Sequence, residues 1–145
     1  NVVHRDCDFS ERKIIYHSDI RCQKISDLRE NNKVSLLFYS PVTKIQLRIK
    51  AVCKVHYNNE ITQIKWEKTQ PRSKECYSQI NPSGREITTP EPRIFDDLEA
   101  GYKNFSVIEN KFDEIDCLIL HHQGHKRYLY IWDNNNNLTI KEIAP

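Results

Sequence analysis

The chain has 145 residues and 17.3 kDa, the length of one domain, and its 38% apolar and 29% charged residues allow a buried core despite a mean hydropathy of −0.72. Its 22 basic against 20 acidic side chains leave a net charge of +2, too balanced to mark a nucleic-acid or membrane partner through the overall field, so any anion site has to be local. No apolar run approaches the ~20 residues that cross a bilayer, and Asn1-Val2-Val3-His4-Arg5 is no secretory signal. A soluble, cytoplasmic protein with no membrane partner is expected.

A chain that opens at Asn1 and contains no Met reads as cut at its N-terminus. Cys7, Cys22, Cys53, Cys76 and Cys117 are odd in number and widely spaced, without a C-x-x-C pair, which fits reduced thiols in a cytosol. The sequons Asn104-Phe105-Ser106 and Asn137-Leu138-Thr139 point the other way, but such triplets arise by chance in an Asn-rich chain.

In chain order, residues 14–17 form a first strand. Cys22 to Asn31 follows as a short helix, with Ile25 and Leu28 three apart and Asn31-Asn32 as its stop. Residues 34–39 and 45–57 are strands rich in β-branched and aromatic side chains. In the second of these, Ile45, Leu47, Ile49, Ala51, Cys53 and Val55 alternate with mostly polar residues, so one face is buried. Thirteen residues are long for a flat sheet and suit a bent strand shared between two halves of a barrel.

Asn58 or Asn59 can cap a helix running to about Lys68 in which Ile61 and Ile64 share a face, and a third helix runs from Arg72 to Ile80. Pro82, Ser83, Gly84, Pro90 and Pro92 then make residues 81–104 a long loop. Strands follow at 105–108, 115–121, 127–132 and 138–143, the last two joined by a turn at Asn134 to Asn137. Seven strands with short turns and helices set in the connections give a mainly β (α+β) chain, a small barrel with peripheral helices rather than a parallel sheet.

Several segments carry a more specific pattern: Val2-Val3-His4-Arg5, Tyr16-His17-Ser18-Asp19-Ile20-Arg21-Cys22-Gln23-Lys24 with Leu28, Leu36-Leu37-Phe38-Tyr39, and Gln46-Leu47-Arg48-Ile49. Asn104 to Ile108, Ile115 to Leu118, Gly124-His125-Lys126-Arg127 and the terminal Ile143-Ala144-Pro145 follow in order. The set resembles the pyridoxamine 5′-phosphate oxidase family, in its less-studied branch with a Thr-Asp-x-Arg-Ser-x-Lys type motif. The resemblance spans nearly the whole chain and implies one FMN-binding split-barrel domain over residues 1–145 with six to seven strands and short peripheral helices. The family's N-terminal helix and first strand are expected to lie ahead of Asn1.

The resemblance also implies site residues. FMN is the cofactor; Ser18 and Lys24 hold its phosphate, Val2 and Val3 approach the flavin through their backbone, and Gln46 faces the ring. Arg5, His17, Gln23, Cys117 and His125 complete the cofactor environment, and Arg127 comes from the second subunit of a homodimer with shared sites. The chemistry suits these roles: a phosphate dianion needs cations and hydroxyl donors, which Arg5, Ser18 and Lys24 offer. The pyrimidine edge of a flavin alternates donors and acceptors, and a Gln carboxamide provides both. Taken singly, Lys24 or Arg5 is ordinarily a solvated charge, Ser18 before Asp19 a turn, and Gln46 a polar strand residue in water; their joint occurrence separates the two readings.

Departures from the family restrict the chemistry. Gln23 stands where pyridoxamine-phosphate oxidases carry a phosphate-binding Arg, Cys117 where they have a Trp against the flavin, and Gln123 in place of a substrate-binding Arg. An amide does not replace a bidentate guanidinium, which argues against true pyridoxamine 5′-phosphate oxidase activity. His121, His122 and His125 have i, i+3 and i, i+4 spacings, but they follow a strand, contain Gly124 and lack a Glu, so no metal is expected. Three scattered glycines cannot build a phosphate loop, and no nucleophile-elbow sequence is present.

The expected function is that of an FMN-dependent oxidoreductase acting on an unidentified small-molecule substrate or electron donor. The alternative is a non-catalytic flavin- or haem-binding module on the same fold. A nucleic-acid binder stacking bases on exposed Tyr and Trp66 ranks last, because the charge balance lacks the usual basic footprint.

Overall fold

The computed structural model describes residues 2–87 and 97–145. The elements are β1 (His4–Asp8), β2 (Lys13–Asp19), α1 (Gln23–Glu30), β3 (Lys33–Ser40), β4 (Ile45–Tyr57), α2 (Glu60–Glu67), α3 (Pro71–Ser78), a 3₁₀ helix (Glu99–Asn104), β5 (Phe105–Ile119), β6 (Lys126–Trp132) and β7 (Leu138–Ile143). The chain is mainly β, as its sequence implies. Seven strands form one sheet in the order β1-β2-β5-β4-β3, with β6 on β5 and β7 on β6, and the pairs β3–β4, β5–β6 and β6–β7 are antiparallel. Among the described residues no helix is long and apolar enough to cross a membrane.

The chain divides into two compact units. One comprises Asn1–Cys7, Ile14–Asn32 and Lys54–Glu109, the other Asp8–Lys13, Lys33–Cys53 and Asn110–Pro145. Both β4 and β5 contribute to each. Along β4, Ile49, Ala51 and Cys53 are buried at alternate positions, and the next buried residue is His56. The alternation changes phase where the strand passes from one unit to the other.

The first unit packs around Trp66, Tyr77, Phe105 and Val107, with Ile15 and Tyr102 against them. The Phe105 ring lies 5.1 Å from both the Trp66 and Tyr77 rings, within the range of favourable tilted and edge contacts. Trp66 is only 4% exposed, so it is not the surface stacking residue that a nucleic-acid binder would need. Its indole Nε1 donates to Glu99 Oε2 (2.7 Å), and Lys74 Nζ reaches Glu99 Oε1 (2.6 Å) while lying 4.8 Å from the indole centre. That clasp ties the 3₁₀ helix to α2 and α3. Gly101 makes the approach possible, because a Cβ there would stand 2.7 Å from Ser78 Oγ.

In α2 the buried face differs from the one the sequence suggests. Asn59 and Thr62 form a capping box, Thr62 Oγ1 also bonds the Tyr102 hydroxyl at 2.9 Å, and the buried pair is Thr62 and Trp66. Ile61 and Ile64 point outward, 39% and 43% exposed. The cap fixes the helix phase with a polar residue, and Trp66 at i+4 then covers far more area than either Ile.

Three other expectations change. Residues 105–108 and 115–121 are not two strands: β5 runs unbroken for 15 residues, with Asn110 and Phe112 buried between exposed Lys111 and Asp113. The strand ends at Ile119, and 121–124 turn, with Gly124 N–H donating to the His121 carbonyl. The charged run His4–Asp8 forms β1 at the start of the sheet order, where exposed charges are tolerated on an edge. Within the expected loop 81–104, residues 99–104 form the 3₁₀ helix; Pro90 and Pro92 lie outside the described residues.

In the second unit Phe112 meets Trp132 edge-on at 5.7 Å, and the Arg12 guanidinium sits 5.6 Å from the same indole. The β6–β7 turn is where the Asn run predicts it, and Asp133 organises it by accepting from the backbone N–H groups of Asn135 and Asn137, both at 2.8 Å.

Candidate functional site

The site begins where β2 gives way to α1. Ser18 is pinned by its carbonyl, which accepts from Ser106 Oγ at 2.7 Å, and the Ile20 N–H donates to the Asn104 carbonyl at 2.8 Å. Asn104 in turn donates from Nδ2 to the Tyr77 carbonyl at 2.7 Å, which joins the end of β2 to α3. Asp19 takes the Arg21 guanidinium through Nε and Nη2, while Arg21 Nη1 and Nη2 also donate to the carbonyls of Ile80 and Gln79. The Asp19 hydrogen bond, with the Asp19 charge, raises the Arg21 pKa. Arg21 is therefore spent on structure: it anchors the chain leaving α3.

α1 starts beside this anchor. Its N-cap, Cys22, makes no side-chain cap bond, the first turn holds no acidic residue, and the Cys22 thiol lies 3.2 Å from Ser18 Oγ. The first-turn N–H groups lack a side-chain acceptor, and the helix dipole favours an anion there. Gln23 turns its amide to Asp27 (3.0 Å). Lys24 Nζ lies 5.7 Å from the centre of the Tyr16 ring.

A cavity of about 680 Å³ opens over this corner, inside the range usual for small-molecule sites. Val2, Val3 and Arg5 line it from the N-terminal segment and β1, His17 to Asp19 from β2, and Arg21 to Lys24 from the start of α1. Cys76 and Tyr77 of α3 and the stretch Pro82 to Arg85 complete it. All of these residues belong to the first unit. Of the lining cations, Arg5, Lys24 and Arg85 form no side-chain hydrogen bond or ion pair among the described residues, and the one lining carboxylate is Asp19, already bound to Arg21. Three uncompensated cations and a helix start thus converge on one concave surface, an arrangement suited to an anion.

His17 and Tyr77 give the cavity neutral polar groups. Both His17 ring nitrogens are buried without a hydrogen-bond partner, and the ring meets Phe105 edge-on at 4.8 Å. Burial, with help from Arg5 and Lys65, pushes its pKa down to about 4, so the imidazole is neutral at pH 7. Burial pushes the Tyr77 phenol up to about 12, although Arg5 opposes it.

Of the residues assigned from the sequence, Val2, Val3, Arg5, His17, Ser18, Gln23 and Lys24 share this cavity. Gln46, Cys117, His125 and Arg127 belong to the second unit and are not among its lining residues. Gln46 is half-buried opposite Tyr39 on β3, and Cys117 stands opposite Tyr128 with its thiol pKa raised mainly by burial. His125 Nδ1 accepts the His121 N–H (3.1 Å), and Arg127 donates from Nε and Nη2 to the Asp116 carboxylate at 2.8 and 2.7 Å.

In the 121–125 turn, Nδ1 of His121 likewise accepts a backbone N–H, from Gln123. Among the described residues no group of three His, Cys, Asp or Glu side chains could hold a metal ion. Sequence reasoning did not assign Cys76, Tyr77 or Pro82 to Arg85 to the cofactor environment. They reach the cavity from α3 and the chain beyond it, and no local pattern marks them.

Residues 1–57 match the family model described as pyridoxamine 5′-phosphate oxidase, FMN-binding domain. No curated protein matches the chain. Among solved structures, the fold is similar to that of a pyridoxamine 5′-phosphate oxidase-related, FMN-binding protein from Nostoc punctiforme, with TM-score 0.82 and 17% identity over 99% of this chain and 79% of that one. It is also similar to PhzG from Burkholderia lata, solved in complex with tetrahydrophenazine-1-carboxylic acid, with TM-score 0.73 and 15% identity over 99% and 73%. A protein related to general stress protein 26 from Clostridium acetobutylicum matches with TM-score 0.53 and 13% identity over 87% and 71%. Residues 1–57 thus carry the sequence pattern of that FMN-binding family, and the chain as a whole shares the split-barrel fold of these neighbours.

Proposed function

We propose that this protein binds FMN with the phosphate in the cavity at the β2–α1 corner, and that it is an FMN-dependent oxidoreductase acting on a small molecule. The observation that carries this reading is the convergence of Arg5, Lys24 and the uncapped start of α1 on a cavity formed largely by the segment that matches an FMN-binding family. The donor set fits the group: Lys24 and Arg5 supply charge, the first-turn N–H groups of α1 supply directed donors, and Ser18 supplies a hydroxyl. Bound flavin supplies hydride or electron transfer. The chain's part is to orient it and keep the site's polar atoms in fixed protonation states, which the neutral His17 and the protonated Tyr77 do.

Titration of the purified protein with FMN and with riboflavin, followed by absorbance and fluorescence, tests the reading. Tight FMN binding with much weaker riboflavin binding is expected, since only FMN carries the phosphate. Equal affinity for the two would remove the phosphate from this corner. Reduction of the bound flavin by a nicotinamide, followed by single turnover, then separates an oxidoreductase from a passive flavin carrier.

A further inference from the structure

We propose that Arg85, on the turn that follows α3, is a ligand of the same phosphate group and supplies the charge that α1 itself lacks. This inference rests on the cofactor reading above and extends it to a segment outside residues 1–57. α1 brings only one cation to the cavity, Lys24, since Gln23 is neutral and its amide is held by Asp27. Arg21 is consumed by Asp19 and by the two carbonyls at the end of α3. A phosphate monoester carries nearly two negative charges at neutral pH, so the helix's Lys24 alone leaves it undercompensated, and Arg5 and Arg85 are the lining cations that remain to complete it.

Arg85 is exposed, lines the same cavity, and has no ion-pair or side-chain hydrogen-bond partner among the described residues. Its backbone position is defined: the Arg85 N–H donates to the Pro82 carbonyl (3.3 Å), and Gly84 holds φ at +89°, a conformation that glycine adopts without steric cost. The start of this segment is fixed by Arg21 on Gln79 and Ile80. The Asp19–Arg21 pair therefore has two roles in one geometry: it shapes the β2–α1 corner and carries the Arg85 turn to it. A planar guanidinium suits a phosphate edge through paired N–H donors.

The test uses the full chain and two ligands that differ only in the phosphate. Arg85→Ala is expected to weaken FMN binding about tenfold, the worth of one charged hydrogen bond at a solvent-accessible site, with riboflavin affinity unchanged. The salt dependence of FMN affinity should become shallower in the same variant. Gln23→Arg in the Arg85→Ala background should restore FMN affinity by returning a cation from the helix side. Arg72→Ala, on α3 and outside the cavity lining, should alter neither ligand.

An Arg85→Ala protein with the wild-type ratio of FMN to riboflavin affinity overturns the proposal and leaves the cofactor reading intact. An equal loss for both ligands also overturns it, since a role in folding or shape would act that way. A wild-type protein that binds FMN no better than riboflavin defeats the cofactor reading itself, and this inference with it.

Discussion

Lys24 and His17 line one cavity with opposite electrical characters, and each leads to a separate measurement. Lys24→Ala is expected to weaken FMN binding roughly ten- to a hundredfold, the equivalent of about 1.5–3 kcal/mol for a charge-assisted hydrogen bond. Lys24 is partly exposed, so solvent screening favours the lower end. An unchanged affinity by calorimetric titration removes Lys24 from the phosphate site. His17 acts through pH. Its folded pKa of about 4 lies below the ordinary 6.5, so between those values the unfolded chain binds a proton that the folded chain refuses. The stability it confers is complete above about pH 6.5 and is lost as pH falls towards 4. His17→Phe preserves an aromatic contact with Phe105 and should flatten that part of the stability profile. Parallel urea-unfolding profiles for the two proteins between pH 7 and 4.5 would count against the burial argument. These residues were legible because Ser18 to Lys24 form one contiguous motif. Tyr77 was not legible as a site residue, because sequence spacing carries no information about which distant segment closes over a corner.

At the scale of elements, α2 shows how a polar residue sets what an apolar pattern only suggests. Asn59 Oδ1 accepts the Thr62 N–H at 3.1 Å and Thr62 Oγ1 accepts the Asn59 N–H at 2.9 Å, so the cap rather than the Ile spacing chooses the buried face. Asn59→Ala should cost about 1 kcal/mol, the usual worth of an N-cap, as read from urea denaturation. Ile64→Ala, at 43% exposure, should stay within about 0.5 kcal/mol. The reverse order of costs would restore the Ile61–Ile64 face as the packed one. β4 was readable because apolar residues recur at period two from Ile45 to Val55, a strong strand signal. β5 was not, because its middle buries Asn110, 0% exposed, in a run with Glu109, Lys111, Asp113 and Glu114. A hydrophobicity pattern takes that run for a turn, whereas the sheet continues through it.

For the whole molecule, the distribution of the assigned residues bears on assembly. Leu118 pairs with Arg127 and Cys117 with Tyr128 across β5–β6, so Cys117 and Arg127 project to opposite faces of that ribbon. One chain cannot offer both side chains to the same ring from one face of the ribbon, and a second copy of the chain removes the conflict by supplying Arg127 to its partner's site. For that role Arg127 has to use its remaining Nη1 donors or release Asp116. The second unit also exposes apolar side chains suited to an interface: Leu37 (64%) and Tyr39 (50%) share a face of β3 opposite Arg48 and Gln46, and Leu138 and Ile140 are 46% and 55% exposed on β7. A homodimer is therefore the expected assembly, with a two-fold axis repeating each contact and an interface on the order of 2,000 Å² or more. Light scattering across dilution should return twice the chain mass. Leu37→Glu adds a charge where a monomer already exposes the side chain, so it should leave the fold intact while splitting the dimer and lowering FMN occupancy. A monomer that retains flavin at full occupancy, in the wild type or in this variant, would show that each site is complete within one chain and that Arg127 serves only Asp116.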